Sequence, residues 1–142
     1  MLKKWGQQMS KNYLPVPTES EEQQALFEWI NFNKGHYPEL KLMHHTPNEG
    51  KRSVSTGAKM KREGLVSGVP DIHLPVAKGK YHSLYIELKR VKYSKISKEQ
   101  EAFIRLLNMY DNFAIICYGW EQAIKVIEWY IKGATEPLYT KK

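Results

Sequence analysis

Two short segments of this chain carry residue types that could perform metal-dependent chemistry. Asp71 follows Pro70 and directly precedes an apolar run, and Glu87 and Lys89 end a second apolar run. Residues i and i+2 of a strand point to the same face of a sheet, so Glu87 and Lys89 would project together. If the two runs are neighbouring strands, Asp71 lies beside Glu87 and Lys89. Two carboxylates next to a lysine can bind a divalent cation and transfer a proton. The pattern predicts metal-assisted hydrolysis of a phosphodiester bond.

Simpler roles for the same residues remain open at this point. Asp71 could be a turn or cap residue after Pro70, and Glu87 and Lys89 could lie on the solvated face of an edge strand. The chemical interpretation is favoured because each half of the pattern borders an apolar, strand-like run, with a turn between the two runs.

Local patterns predict an α/β fold in the order αβββαβα. Thr18 and Glu21 have the spacing of a capping box at the start of the first helix, and Ser97 is expected to cap a later helix. The apolar run at 113–118 is typical of a central strand that is buried on both faces. A strand–helix–strand crossover after antiparallel strands implies a mixed central β-sheet flanked by helices. The first predicted helix follows Thr18, and the other predicted helices cover 98–110 and 121–131, with one or two helical turns at 59–63. The predicted strands cover 40–45, 71–76, 82–91 and 113–118. A hairpin-like link at 77–80 connects the second and third strands.

Charge points to a polyanionic partner. The 142 residues are 42% hydrophobic and 26% charged, which suits one globular domain, and 22 basic against 15 acidic residues give a net charge of +7. Residues 51–62 contain five basic residues and no acid, just before Asp71, although a solvated, flexible loop would show the same composition. The candidate nucleic-acid contacts in and beside this segment are Asn48, Lys51, Arg52, Lys59, Lys61 and Arg62.

Several classes of protein are disfavoured by the composition. The single cysteine, Cys117, allows no intrachain disulfide and no cysteine-based zinc site within one chain, and it is expected to be a small core residue. This cysteine usage favours a reducing, cytoplasmic compartment. No apolar stretch approaches the ~20 residues of a membrane span, and the N-terminus does not resemble a secretory signal, so no membrane partner is expected.

The histidines give no metal-binding pattern. His44 and His45 are adjacent on a predicted strand and would point to opposite faces, so both cannot bind one metal ion in a regular strand. A core or hydrogen-bonding role is favoured for them over a phosphate or metal contact. His73 and His82 are isolated in the sequence, which favours structural roles.

Several ordered motifs resemble the VRR-NUC domain, a branch of the PD-(D/E)xK nuclease superfamily found in phage proteins and DNA-repair nucleases. These motifs are 64–71, 85–90 and Ser97-x-x-Gln100, preceded by Glu22-Gln23 with Trp29 and by 47–50. The resemblance extends over about residues 18–131. It implies a restriction-endonuclease-like core, with an N-terminal arm at 1–17, a nuclease domain at 18–132 and a basic C-terminal tail at 133–142.

The resemblance also implies roles for individual residues. Asp71 and Glu87 match the metal-binding acids, the main-chain carbonyl of Leu88 is a further oxygen ligand, and Lys89 matches the motif lysine. Glu22 matches an acid of the first helix that completes the metal shell directly or through water, although Glu19 and Glu21 are nearby alternatives. Gln100 would hydrogen-bond the site or a phosphate, or be a plain surface residue. The expected cofactor is Mg²⁺ or Mn²⁺, with one or two ions left open.

These expectations combine into a metal-dependent DNA endonuclease. By resemblance, a stand-alone domain of this size would act as a homodimer on branched DNA such as a four-way junction or a flap, like a Holliday junction resolvase. Phage origin, and so the host cytoplasm, is implied in the same way. The alternatives are a non-catalytic DNA-binding module of the same fold and an RNA-processing nuclease. Aromatic residues available for an interface are Trp5, Trp120, Trp129 and Tyr139.

Overall fold

The computed structural model describes residues 14–47 and 53–138. It contains, in chain order, α1 (Glu19–Asn33), a 3-10 helix (Pro38–Leu42), β1 (His44–His45), α2 (Val54–Arg62), β2 (Ile72–Leu74), β3 (Leu84–Lys89), α3 (Lys98–Met109), β4 (Phe113–Tyr118) and α4 (Trp120–Ile131). Most of the predicted N-terminal arm and part of the predicted tail lie outside the described residues. Within the described ranges, no helix is both long enough and apolar enough to cross a membrane.

Two helix starts confirm the capping predictions. The Thr18 hydroxyl accepts a hydrogen bond from the backbone N–H of Glu21, whose carboxylate accepts one from the Thr18 backbone in return. Ser97 and Gln100 form the same reciprocal pair at the start of α3. Each box satisfies backbone donors that a helix N-terminus otherwise leaves without partners.

Two local predictions had the wrong bounds. The predicted strand at 40–45 is reduced to the two residues of β1, because a 3-10 helix that begins at Pro38 occupies its first half. The alternating leucines of this segment are also typical of a strand, in which both would point to the same face. In the structure, however, Leu40 is fully buried and Leu42 is exposed. The short helix predicted at 59–63 begins earlier, at Val54, because Ser53 caps it by accepting a hydrogen bond from the backbone N–H of Thr56.

The four described strands form one sheet in the order β1-β2-β3-β4. The sheet is mixed, as the sequence predicted. The first three strands are antiparallel neighbours, and β4 pairs with β3 in parallel through the α3 crossover. The prediction that 113–118 is a central strand was wrong, because no described strand lies beyond β4. Its apolar character comes from α3 and α4, which both pack against it, while the most deeply buried strand is β3.

The two faces of β3 differ in chemistry. Leu84, Ile86 and Leu88 point to a core formed mainly with α1 and α4, and all three are at most 2% exposed. Burial of each of these side chains contributes about 1.5–3 kcal/mol to the stability of the fold, so this face holds the strand firmly in place. Cys117 lies in the same core, as predicted, and burial raises the pKa of its thiol to about 12. The alternate residues of β3 are therefore fixed on the opposite face.

Candidate active site

The sheet register brings Asp71 and Glu87 together. Asp71 directly precedes β2, whose first residue, Ile72, pairs with Ile86, so Asp71 lies opposite Glu87. The backbone N–H of Leu88 donates a 3.0 Å hydrogen bond to Asp71 Oδ2 and fixes that carboxyl against β3. Asp71 is 8% exposed and Glu87 1% exposed. The two candidate acids thus meet in a buried position, whereas solvated turn or edge-strand residues would be exposed.

Lys89 is buried beside these acids. Its Nζ lies 3.4 Å from Oε1 of Glu87, two residues earlier on the same strand, and 3.7 Å from Oε1 of Glu19 at the start of α1. The whole residue is only 6% exposed, so the ammonium is held among carboxylates and largely away from bulk water. Acid, acid and lysine therefore form one cluster, as their spacing in the sequence suggested.

The electrostatics of the cluster oppose full ionisation of the two carboxyls. Burial, and after it the charge of Asp71, raise the pKa of Glu87 to about 8. Burial also raises the pKa of Asp71 above its ordinary value. A side-chain hydrogen bond joins the two carboxyls, and among the described residues no amide, hydroxyl or ammonium donor reaches the buried Oε2 of Glu87. A buried oxygen left in this state costs free energy, and a cation between the two carboxyls would offset that cost.

Gln100 holds Glu87 in place. Its side-chain N–H donates a 2.7 Å hydrogen bond to Glu87 Oε1, while its side-chain oxygen accepts from the backbone N–H of Ser97. The capping box therefore fixes the amide group that positions the acid. The structure places Gln100 against the candidate site and not on a plain helix surface.

Gly68 allows the loop before Asp71 to lie directly on the start of α3. Its φ is +91°, and a Cβ at this position would collide with the carbonyl group of Glu99 and stand 2.8 Å from the backbone nitrogen of Gln100. Only glycine fits this close approach at low cost. The loop that carries Asp71 and the helix that carries Gln100 are thereby locked to each other.

The acids of α1 divide their contacts. Glu19 forms the ion pair with Lys89, whereas Glu22 is buried with its Oε2 accepting a 2.8 Å hydrogen bond from the backbone N–H of Trp120. Glu22 thus satisfies a donor at the N-terminus of α4, where a carboxylate also interacts favourably with the helix dipole. The described contacts place Glu19, and not Glu22, in an ion pair with the candidate lysine.

The basic candidates are only partly described. Lys59, Lys61 and Arg62 lie exposed in the last turn of α2, and Lys59 also forms a surface ion pair with Glu63. Asn48, Lys51 and Arg52 lie outside the described residues. The aromatic candidates Trp120 and Trp129 pack partly against the core, while Trp5 and Tyr139 fall outside the described ranges.

Sequence reasoning missed a row of rings beside the acids. His73 pairs with Tyr85 across β2 and β3, with the rings stacked at a centroid distance of 4.0 Å, and His44 of β1 stands edge-on to His73 at 5.4 Å. Burial, followed by the nearby His44, lowers the pKa of His73. The available signal was spacing: His73 lies two residues after Asp71, and Tyr85 two before Glu87.

Comparisons with known proteins agree on one group of relatives. The sequence profile of the VRR-NUC domain matches residues 16–121. The chain is also similar to a solved structure described as a VRR_NUC domain protein, with 31% sequence identity and a TM-score of 0.71. That similarity covers 84% of this chain and 93% of the other. No curated protein matches the sequence.

Proposed function

The chain belongs to the VRR-NUC domain family, as its motifs predicted, and from this membership and the site geometry we propose that it is a metal-dependent DNA endonuclease. Membership implies a nuclease-type fold. One observation carries the catalytic proposal: the buried carboxyls of Asp71 and Glu87 lie opposite each other, with Lys89 Nζ 3.4 Å from Glu87. This arrangement suits hydrolysis of a phosphodiester bond, in which negative charge must be neutralised where water attacks.

The oxygen donors fit Mg²⁺ or Mn²⁺. The described residues contain no group of three or more His, Cys, Asp or Glu side chains that could hold a metal ion. However, Mg²⁺ is commonly held by one or two protein carboxylates together with substrate phosphates and water. Asp71 and Glu87 would hold the ion, with the main-chain carbonyl of Leu88 as a further oxygen. Bound there, it would lower the pKa of a water and offset the charge on the phosphate.

The protein's own residues would orient the reacting groups. Lys89 would donate a hydrogen bond to the attacking water or to a phosphate oxygen, and its ion pair with Glu19 would help to hold the ammonium group near the acids. Gln100 fixes the orientation of Glu87 through the 2.7 Å hydrogen bond. The low exposure of Glu87 and Lys89 limits competing water, so each charge acts more strongly than at an open surface.

The basic surface would hold the DNA backbone. Lys59, Lys61 and Arg62 are exposed on α2, whose C-terminal end leads through the Gly68 loop to Asp71. The neighbouring Asn48, Lys51 and Arg52 extend this set in the sequence. Contacts of this type bind phosphates without reading sequence, which agrees with the net charge of +7.

We further propose that the substrate is branched DNA, a four-way junction or a flap, and that the protein acts as a homodimer. Leu106 and Met109 in the C-terminal part of α3, and Tyr110 directly after the helix, are exposed, which gives a candidate surface for a second copy. Two copies would present two sites, which suits paired nicks. Light scattering or analytical ultracentrifugation tests the dimer independently of cleavage.

Cleavage assays test the catalytic proposal. The wild type is incubated with labelled four-way junction, flap, single-stranded and duplex DNA and with single-stranded RNA, in Mg²⁺, Mn²⁺ or EDTA. We expect cutting of DNA only with metal, and loss of cutting in Lys89→Met, which keeps the aliphatic side chain but removes the charge. The matched control is Lys132→Met, because Lys132 is an exposed lysine at the end of α4.

The alternatives give different results in the same assay. Binding of DNA without cutting in every metal would support the non-catalytic module and contradict the nuclease. Preferential cutting of RNA would favour the RNA-processing alternative. Equal activity of Lys89→Met and the wild type would contradict the role given to the buried lysine.

A further inference from the structure

A row of three rings crosses the sheet next to the proposed catalytic acids. His44, His73 and Tyr85 are direct cross-strand partners on β1, β2 and β3. Directly opposed residues share a face of the sheet, so the three rings stand side by side. His45, the neighbour of His44, lies on the other face, where its ring approaches Phe27 of α1.

This ring row lies on the face that carries Asp71 and Glu87. His73 follows Asp71 by two residues and Tyr85 precedes Glu87 by two, so both pairs share one face. Two strand residues separate the row from the acids by roughly 6.8 Å. That distance corresponds to one or two nucleotides of a DNA strand, whose rise in a duplex is about 3.4 Å per nucleotide.

The ring row offers hydrogen-bonding atoms at an accessible surface. His44 is exposed, and His73 and Tyr85 are partly exposed. Packing alone would not require polar rings at these three positions. The Nδ1 of His44 lies 2.9 Å from the carbonyl oxygen of Leu42, which fixes its ring. Among the described residues, no hydrogen bond occupies the His73 ring or the Tyr85 hydroxyl. The His73 imidazole and the Tyr85 phenol are suitable donors to a phosphate oxygen, and His44, whose Nδ1–H donates to Leu42, stands edge-on beside His73.

We propose that His44, His73 and Tyr85 form a subsite that holds a phosphate of the DNA strand one or two nucleotides from the bond that is cut. The inference rests on the nuclease function proposed above and adds to it a fixed position for the substrate strand. The strand would run across the sheet from the ring row to the acids. Such a contact fixes the position of the reacting phosphate without reading the bases.

Phenylalanine substitutions test the subsite because they keep the rings and remove their polar atoms. The triple variant His44→Phe, His73→Phe and Tyr85→Phe is compared with the control His45→Phe. Tyr85→Phe alone is the second variant, to be used if the triple variant does not fold by circular dichroism and thermal melting. The substrate is an oligonucleotide cut by the wild type, with one phosphate at a time replaced by an uncharged methylphosphonate.

Wild-type cleavage should fall about 10-fold or more at one modified position, one or two nucleotides from the cut, because a hydrogen bond to a charged group is lost. The triple variant should lose a similar factor in kcat/KM on unmodified DNA and show no further loss at that position. Tyr85→Phe should show a smaller loss of the same kind, and His45→Phe should behave as the wild type.

Two results would overturn the inference. If the ring variants have the kcat/KM of the wild type, the rings only pack against each other. If the triple variant is as sensitive to the methylphosphonate as the wild type, another part of the protein contacts that phosphate. Either result leaves the nuclease function standing. If the wild type cuts none of the DNA substrates in Mg²⁺ or Mn²⁺, the proposed function fails, and the subsite fails with it.

Discussion

Replacing Glu87 by glutamine should stabilise the metal-free protein and remove its response to metal. Glu87 is 1% exposed, and burial and the Asp71 charge raise its pKa to about 8. A glutamine here keeps nearly the same shape and stays uncharged at every pH. Its oxygen can still accept the hydrogen bond from Gln100, and its nitrogen can donate to the Asp71 carboxylate. The substitution therefore replaces a side chain that must keep a proton to be buried by one that is uncharged without it, and it creates no cavity.

The raised pKa sets the size and the sign of the effect. An unfolded glutamate loses its proton near pH 4.5, whereas Glu87 in the folded protein keeps its proton until about pH 8. The folded state binds more protons between these values, so Glu87 lowers the free energy of unfolding as pH rises through this window. At 1.36 kcal/mol per pH unit, the penalty reaches about 3 kcal/mol at pH 7. For a chain of this size, its removal should raise the melting temperature by about 10 °C.

Thermal melting at about pH 5, 7 and 8.5, in EDTA or Mn²⁺, measures this effect. In EDTA the difference between Glu87→Gln and the wild type should grow with pH, and Mn²⁺ should stabilise only the wild type. Glu39→Gln is the control with opposite sign, because the hydrogen bond from Lys78 lowers the pKa of Glu39. Its loss should slightly destabilise the protein at neutral pH and leave the Mn²⁺ response intact. A Glu87→Gln protein that melts below the wild type at high pH in EDTA would refute the reasoning.

Three further predictions concern the supports of the site and the buried core. Gly68→Ala should lower the free energy of unfolding by about 2 kcal/mol or more in a denaturant titration, because its Cβ has no room against α3. Gln100→Ala should reduce kcat about 10-fold by freeing Glu87, whereas Ser97→Ala loses only a helix cap, about 1 kcal/mol, and should keep kcat. Cys117, buried and with its thiol pKa raised to about 12, should react with a thiol reagent only as fast as the protein unfolds.

The central elements of the site were predictable because they depend on local rules. A strand alternates its side chains, so Glu87 and Lys89 had to share a face once their run was extended. A short hairpin between two apolar runs makes them antiparallel neighbours, which brings Asp71 to Glu87. The capping pair Ser97 and Gln100 was also readable, since it needs only a spacing of three residues.

Other features depend on contacts that a local pattern does not contain. Glu19 and Glu22 are one helical turn apart on similar faces of α1, so only the tertiary position of Trp120 and Lys89 decides which partner each acid meets. An apolar run covered by helices on both sides looks the same in sequence at the edge or the centre of a sheet. The stacking of His73 on Tyr85 required the register of β2 and β3, which no single segment specifies.

The contrast between the two faces of β3 connects stability with the proposed chemistry. On one face Leu84, Ile86 and Leu88 are buried in an apolar core. Because such cores are closely packed, the strand has little room to shift. The same rigidity prevents Glu87 from moving away from Asp71 to relieve its raised pKa. Because the strand cannot yield, relief must come from a proton or from a cation. A divalent ion that binds the folded state alone would therefore stabilise the fold through the same two carboxyls that direct it to the phosphate.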